Sequence, residues 1–238
     1  MGASDMENEI KAICTKCGGN LVPDQEGKIY RCMFCGVAFG SSILFDKDAE
    51  NKAYKASMAN EFNEADVWYR CILMRDPGNA KALRGRVLCA GKWKNLLDID
   101  TNSVMSNVRF ENINERIDDA IEHTDDDKTK EYFQSFKRLV ELLAKIQKVN
   151  TKLKPIDGRI KNLRAKRKEA EVKDRPEREN EIITHYSEEA IDYSIGKENR
   201  ERTTIAKSWD RFCKEYETVW SALKDLENEL KLSVRPVS

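Results

Sequence analysis

Four cysteines near the N-terminus carry the most specific chemistry in the chain. They read Cys14-Thr-Lys-Cys17-Gly-Gly and Cys32-Met-Phe-Cys35-Gly, so two residues separate the members of each pair and fourteen separate the pairs. A two-residue spacer turns both sulfurs toward one point, and two such pairs at this distance can wrap a single ion in four thiolates. Gly18, Gly19 and Gly36 follow the pairs and allow backbone geometry that other residues resist. Four thiolates fill a tetrahedral ion and leave no position for water or substrate, so the expected role is structural.

The elements that must position these sulfurs are short. Asn20 to Arg31 reads as a strand, a polar turn through Asp24 to Gly27, and a second strand entering Cys32. Knuckle, hairpin, knuckle is the layout of a zinc ribbon, and residues 11–40 resemble that family in its rubredoxin-like four-cysteine form. The resemblance implies one structural Zn2+ on Cys14, Cys17, Cys32 and Cys35; iron takes the same ligand set and stays open as an alternative. A module of about thirty residues buries too little apolar surface to fold alone. Structural zinc contributes on the order of 10–16 kcal/mol, more than Leu21, Val22, Ile29 and Phe39 can supply. Two disulfides would suit a secreted chain, but the N-terminus is polar and shows no signal-like apolar run. A dithiol redox site needs one pair in a thioredoxin-like βαβ setting, which the flanking sequence lacks.

Composition narrows the rest. With 42 Lys and Arg against 42 Asp and Glu, the 238-residue chain is formally neutral, unlike a generic nucleic-acid or membrane-surface binder. No apolar stretch approaches a membrane span. Met1-Gly-Ala resembles a myristoylation start, but Met6 stands where Ser or Thr is wanted; Met1 and Met6 are both open as the natural start. The missing signal and the thiol-rich site imply a cytoplasmic address. Cys71, Cys89 and Cys213 read as packing residues. His123 and His185 sit in acidic, helical segments without a catalytic signature and read as surface or packing residues.

From Asp46 the pattern becomes helical. Ala53 and Ala56, then Phe62, Ala65 and Tyr69, then Asp76-Pro77 resemble a tetratricopeptide repeat, and Asn79 is placed to cap a further helix over Ala80 to Ala90. Asn60 stands where the repeat has glycine, Ile72 where it has alanine, and the second repeat loses register at Gly91-Lys-Trp93. An ordinary helical hairpin is the alternative. Tyr54, Trp68, Tyr69 and Trp93 are the candidate partner-binding residues. A helix is expected over Val108–Glu122, with Phe110, Ile113, Ile117, Ala120 and Ile121 on one face.

Further on, Tyr132, Phe136, Leu139, Leu143 and Ile146 recur at alternating four and three, as do Ile205, Trp209, Phe212, Tyr216, Val219, Leu223, Leu226 and Leu230. Thr203–Lys231 as one helix would span about 43 Å. A kink or break is expected at Lys154-Pro155-Ile-Asp-Gly158, and further interruptions at Arg175-Pro176 and at Gly196. Two or three long helices should fold back antiparallel, the last packed along 130–163; a parallel homodimer through the same seam is the alternative, giving a monomer or a coiled-coil homodimer. Lys145–Arg178 carries 13 basic and 5 acidic residues, whereas Glu179–Asp192 has five acids and no Lys or Arg. A hairpin would lay acid beside base, so internal neutralisation, or simply a solvated helix face, is expected.

The expected fold is mainly α, with a small β ribbon, tetratricopeptide-like hairpins and long antiparallel helices. Its expected organisation is a flexible N-terminus over 1–10, the ribbon over 11–45, the helical repeat unit over 46–100, a connecting helix over 101–128, a long helical region over 129–232 and a flexible tail over 233–238. Phosphate-binding loops, dinucleotide fingerprints and triad signatures do not occur. The expected function is non-enzymatic: a zinc-binding scaffold or adaptor for an unknown protein partner, without membrane attachment. The alternative is a nucleic-acid-associated ribbon factor of the transcription or translation type, using the ribbon and Arg159, Lys161, Arg164, Lys166, Arg167 and Lys168.

Overall fold

The computed structural model describes residues 12–14, 16–24, 26–44, 46–101, 109–173 and 181–233. Residues 1–10, Val108, the Arg175-Pro176 interruption, the side chain of His185 and nearly all of the 233–238 tail lie outside the described residues. The chain divides into two compact units: Met1–Val140 with Trp220–Ser238, and Glu141–Val219.

The first unit opens with a three-stranded antiparallel sheet, β1 (Leu21–Pro23), β2 (Ile29–Cys32) and β3 (Ala38–Gly40), in sequential order. Leu21 pairs with Cys32, and Tyr30 with Phe39. The turn between β1 and β2 forms because the Asp24 carboxylate accepts from the Lys28 and Ile29 N–H groups, while Gly27 takes φ of +65°. The third strand adds to the two that the sequence predicts.

A short helix α1 (Ser41–Leu44) leads to α2 (Ala49–Met58), α3 (Phe62–Arg75) and α4 (Ala80–Gly91). The turn from α2 to α3 runs through Asn60 at φ of +65°, a left-handed conformation that Asn tolerates better than most residues. Buried Ala53, Ala56 and Ala65 let α2 and α3 approach closely. Asn79 caps α4 as its sequence predicts, its side chain accepting from Ala82 N–H at 3.0 Å. At Gly85 a Cβ would lie 2.3 Å from the Tyr69 ring, so the glycine sets the approach of α4 to α3.

Helix α5 (Phe110–Glu122) buries Ile113, Ile117 and Ala120, the apolar stripe read from sequence. The long helices α6 (Asp127–Lys173) and α7 (Glu181–Glu229) contribute to both units. In the first unit Tyr132, Phe133, Phe136, Leu139 and Leu223 are fully buried. Trp93 stacks on Phe136 at 6.4 Å between ring centroids, and Tyr132 meets Phe133 edge-on at 5.2 Å.

In the second unit the two helices run antiparallel. Asp157 pairs with Arg202, Arg159 with Glu198, and Arg167 with Glu188 and Asp192. Leu142, Leu143, Ile146, Ile156 and Ile160 are buried along α6. No break occurs at two of the expected places: α6 continues through Pro155 and α7 through Gly196. A proline deprives one carbonyl of its helical partner at about 3 kcal/mol, and glycine costs about 1 kcal/mol against alanine. Buried Ile156 and Ile160 beside Pro155, and the ion pairs of Glu198 and Arg202 after Gly196, hold the helices through those costs. The α7 seam is also less enclosed than its heptads suggest. Only Tyr216 and Leu223 of its eight residues are buried, the others being half-buried.

Candidate metal centre

Two matching loops build the centre. In the first, Gly18 N–H donates to Cys14 C=O and Cys14 N–H to Gly19 C=O, both at 2.8 Å. In the second, Gly36 N–H donates to Cys32 C=O at 3.0 Å and Cys32 N–H to Val37 C=O at 2.8 Å. Gly18 and Gly36 each take φ of +72°, which a side chain would strain. Gly19 serves differently: a Cβ there would lie 2.4 Å from the Phe34 ring.

These loops aim four sulfurs at one point. Cys14 Sγ lies 3.6 Å from Cys35 Sγ and Cys17 Sγ 3.4 Å from Cys32 Sγ, and all four lie within 4.8 Å of one another. A disulfide requires about 2.05 Å. Four sulfurs around a tetrahedral ion with bonds of about 2.3 Å would stand about 3.8 Å apart. The donor chemistry and spacing therefore fit a metal ion held by Cys14, Cys17, Cys32 and Cys35.

Electrostatics point the same way. Cys32 is drawn down to about 6, chiefly by the Cys35 backbone N–H. The Gly19 N–H likewise favours the Cys17 thiolate, yet the shared hydrogen bonds with Cys32 and Cys35 push Cys17 up to about 12. One negative charge forms readily and the next is opposed, a conflict that a divalent cation removes.

The ribbon is not self-contained. Ala12, Cys14, Leu21 and Cys32 pack with Leu44 and Met74, and Ile13 N–H donates to Met74 C=O at 2.8 Å. The α3 end thus closes the apolar side of the centre, a contribution that sequence reading missed. Val22 and Ile29 are 45% and 43% exposed, and Met33 and Phe34 more so, in keeping with the small apolar contribution expected of the ribbon.

The candidate partner residues fall in different places. Tyr54 and Tyr69 line a cavity of about 370 Å3 with Lys47, Arg75 and Lys94. Trp68 is half-buried, with Lys52 Nζ 4.7 Å from its ring centre. Trp93 is 7% exposed and belongs to the core. Cys71 and Cys89 are buried, burial pushing Cys89 up to about 12, and Cys213 is half-buried.

The basic run also separates. Arg159 and Arg167 pair with α7 acids, realising the expected neutralisation for those two, whereas Lys161, Arg164, Lys166 and Lys168 are exposed.

A buried charge cluster had no signal in any local motif. Arg84 donates twice to the Glu227 carboxylate, at 2.8 and 2.7 Å, and Tyr132 Oη donates to it at 2.8 Å. Its one sequence trace is that Arg84 and Glu227 interrupt otherwise apolar faces. Arg86 bridges Asp66 and Asp119 nearby. Among the described residues no helix is long and apolar enough to cross a membrane. No protein-family model, curated protein or solved structure matches the chain.

Proposed function

We propose that this protein is a non-enzymatic adaptor, in which a zinc-clasped ribbon is fixed to a helical unit that receives an acidic segment of a protein partner. The observation that carries the reading is the cavity around Tyr54 and Tyr69. Lys47, Arg75 and Lys94 line it with Glu50, whose carboxylate is engaged by Lys81 at 3.6 Å, and Arg75 acts electrostatically on Asp46. Two amphipathic rings beside an excess of cations suit a chain segment that alternates carboxylates with apolar groups. The closed four-sulfur set supports a structural ion, and its cysteine-only composition favours zinc over harder metals. The resemblance of α2 and α3 to a tetratricopeptide repeat supports the interaction role. Thiol sulfurs 3.4 and 3.6 Å apart support a reducing compartment such as the cytoplasm.

The test has two parts. Elemental analysis of purified protein should give one zinc per chain, and iron would betray itself by visible colour. Titration with acidic synthetic peptides should perturb the NMR signals of Tyr54 and Tyr69, and Arg75→Glu/Lys94→Glu should abolish the effect. A metal-free protein rejects the zinc half of the reading; unperturbed tyrosines with every peptide reject the partner half.

A further inference from the structure

A second basic region lies wholly within the α6–α7 hairpin of the second unit. Ten residues, Arg159 to Lys168, contain six cations, and the fold divides them by direction. Arg159 reaches Glu198 at 2.9 Å, and Arg167 reaches Glu188 at 2.9 Å and Asp192 at 3.2 Å. Those two guanidinium groups hold the hairpin together. Lys161, Arg164 and Lys168 make no ion pair with any described residue and line one side of a groove of about 560 Å3. Asn199 and Arg202 line the other side, with Asp157 tied to Arg202 at 2.6 Å. Four cations therefore face one carboxylate that is already engaged.

We propose that this groove binds the phosphate backbone of duplex nucleic acid without reading its sequence. Three features favour that ligand. Positions 161, 164 and 168 fall on one helix face and span about 10.5 Å at 1.5 Å per residue. Long, flexible side chains at three positions over that length can each meet a phosphate of one duplex strand, whose phosphates recur about every 3.4 Å along the helix axis. Among the described residues the apolar members of the lining are Ile160, itself buried, and exposed Ala165, which offer an amphipathic peptide no strip for its apolar face. The lining also has, among the described residues, no aromatic ring on which unpaired bases could stack. The chain's formal neutrality does not oppose this, because the field that matters is local to the groove.

This assignment is independent of the acidic-peptide cavity, which lies in the first unit. It is tested by fluorescence anisotropy of a labelled mixed-sequence DNA duplex of roughly 20 base pairs with the full-length protein, at about 50 and about 200 mM salt. With three phosphates neutralised, affinity should fall about 40-fold between the two salts. Arg164→Ala should cut that ratio to about 12-fold, one contact having gone. Lys161→Glu/Arg164→Glu/Lys168→Glu should abolish binding at the lower salt, with helix content by circular dichroism unchanged. Lys166→Glu, in the same run but outside the groove, should leave binding within about twofold, since its phosphate contact count is unchanged. If the triple variant misfolds, the single alanine variants at 161, 164 and 168 carry the test. No binding at the lower salt overturns the proposal. So does equal weakening by Lys166→Glu and Arg164→Glu, or displacement of the duplex by poly-glutamate at matched charge.

Discussion

The ribbon and the core around Tyr132 belong to the same compact unit but are held by different physics. In the core, Tyr132, Phe133, Phe136, Ile113 and Ile117 are fully enclosed, and burial of large side chains does the holding. In the ribbon, Val22, Ile29, Met33 and Phe34 face water, and the four sulfurs converge where a hydrophobic centre would otherwise be. The lesson is that stability can be concentrated in a few bonds or spread over many contacts. The two regions should therefore fail under different treatments.

Metal removal breaks the comparison most sharply. Chelation, or Cys14→Ser/Cys17→Ser, should cost the ribbon on the order of 10 kcal/mol and unfold it. The NMR signals of 16–40 should collapse while α2 to α7 keep their helical dichroism. A ribbon that survives chelation intact would show that Leu44 and Met74 suffice. Acid should act in the same direction, because protons compete with the ion. Zinc release followed with a colorimetric chelator on acidification checks this.

The core has its own concentrated point, and it is polar. Glu227→Ala leaves the Arg84 guanidinium buried without a partner and should cost about 3–5 kcal/mol in thermal unfolding. Arg84→Met/Glu227→Leu, made together with Tyr132→Phe so that no buried hydroxyl loses its acceptor, should cost far less, because a buried polar cluster replaced by apolar groups is often neutral. If the combined change proves as damaging as the single one, shape rather than charge governs the site. Tyr132→Phe should cost about 1 kcal/mol, one hydrogen bond.

Two glycines sharpen the contrast at the smallest scale. Gly85→Ala drives a methyl into the Tyr69 ring and should cost about 1–3 kcal/mol. Gly158→Ala meets nothing within 4 Å and should instead stabilise the hairpin by about 0.5–1 kcal/mol. Urea titrations of both variants read the difference in sign.

What the sequence made legible was local. The cysteine spacing located the sulfurs, because a two-residue spacer leaves little freedom. Asn79 marked a helix start through capping and Phe62 through the tetratricopeptide resemblance, and the Asp24 to Gly27 turn was written in its residues. What it hid was decided at a distance. Pro155 and Gly196 read as interruptions because propensity is local, whereas the ion pairs that carry the helices past them come from the opposite strand of the hairpin. That Leu44 and Met74 close the apolar side of the ribbon could not be read either, because both come from later elements of the chain. Arg84 and Glu227 stand 143 residues apart, beyond any periodicity.

That separation also has a meaning in time. A ribosome adding about 5–20 residues per second delivers Glu227 on the order of ten seconds after Arg84. Through that interval the helices around Arg84 exist with a cation that cannot be buried without cost. The nascent first unit must stay loose there, or keep the guanidinium wet, until α7 arrives. The last long helix is thus the step that locks a neighbourhood formed far earlier in synthesis.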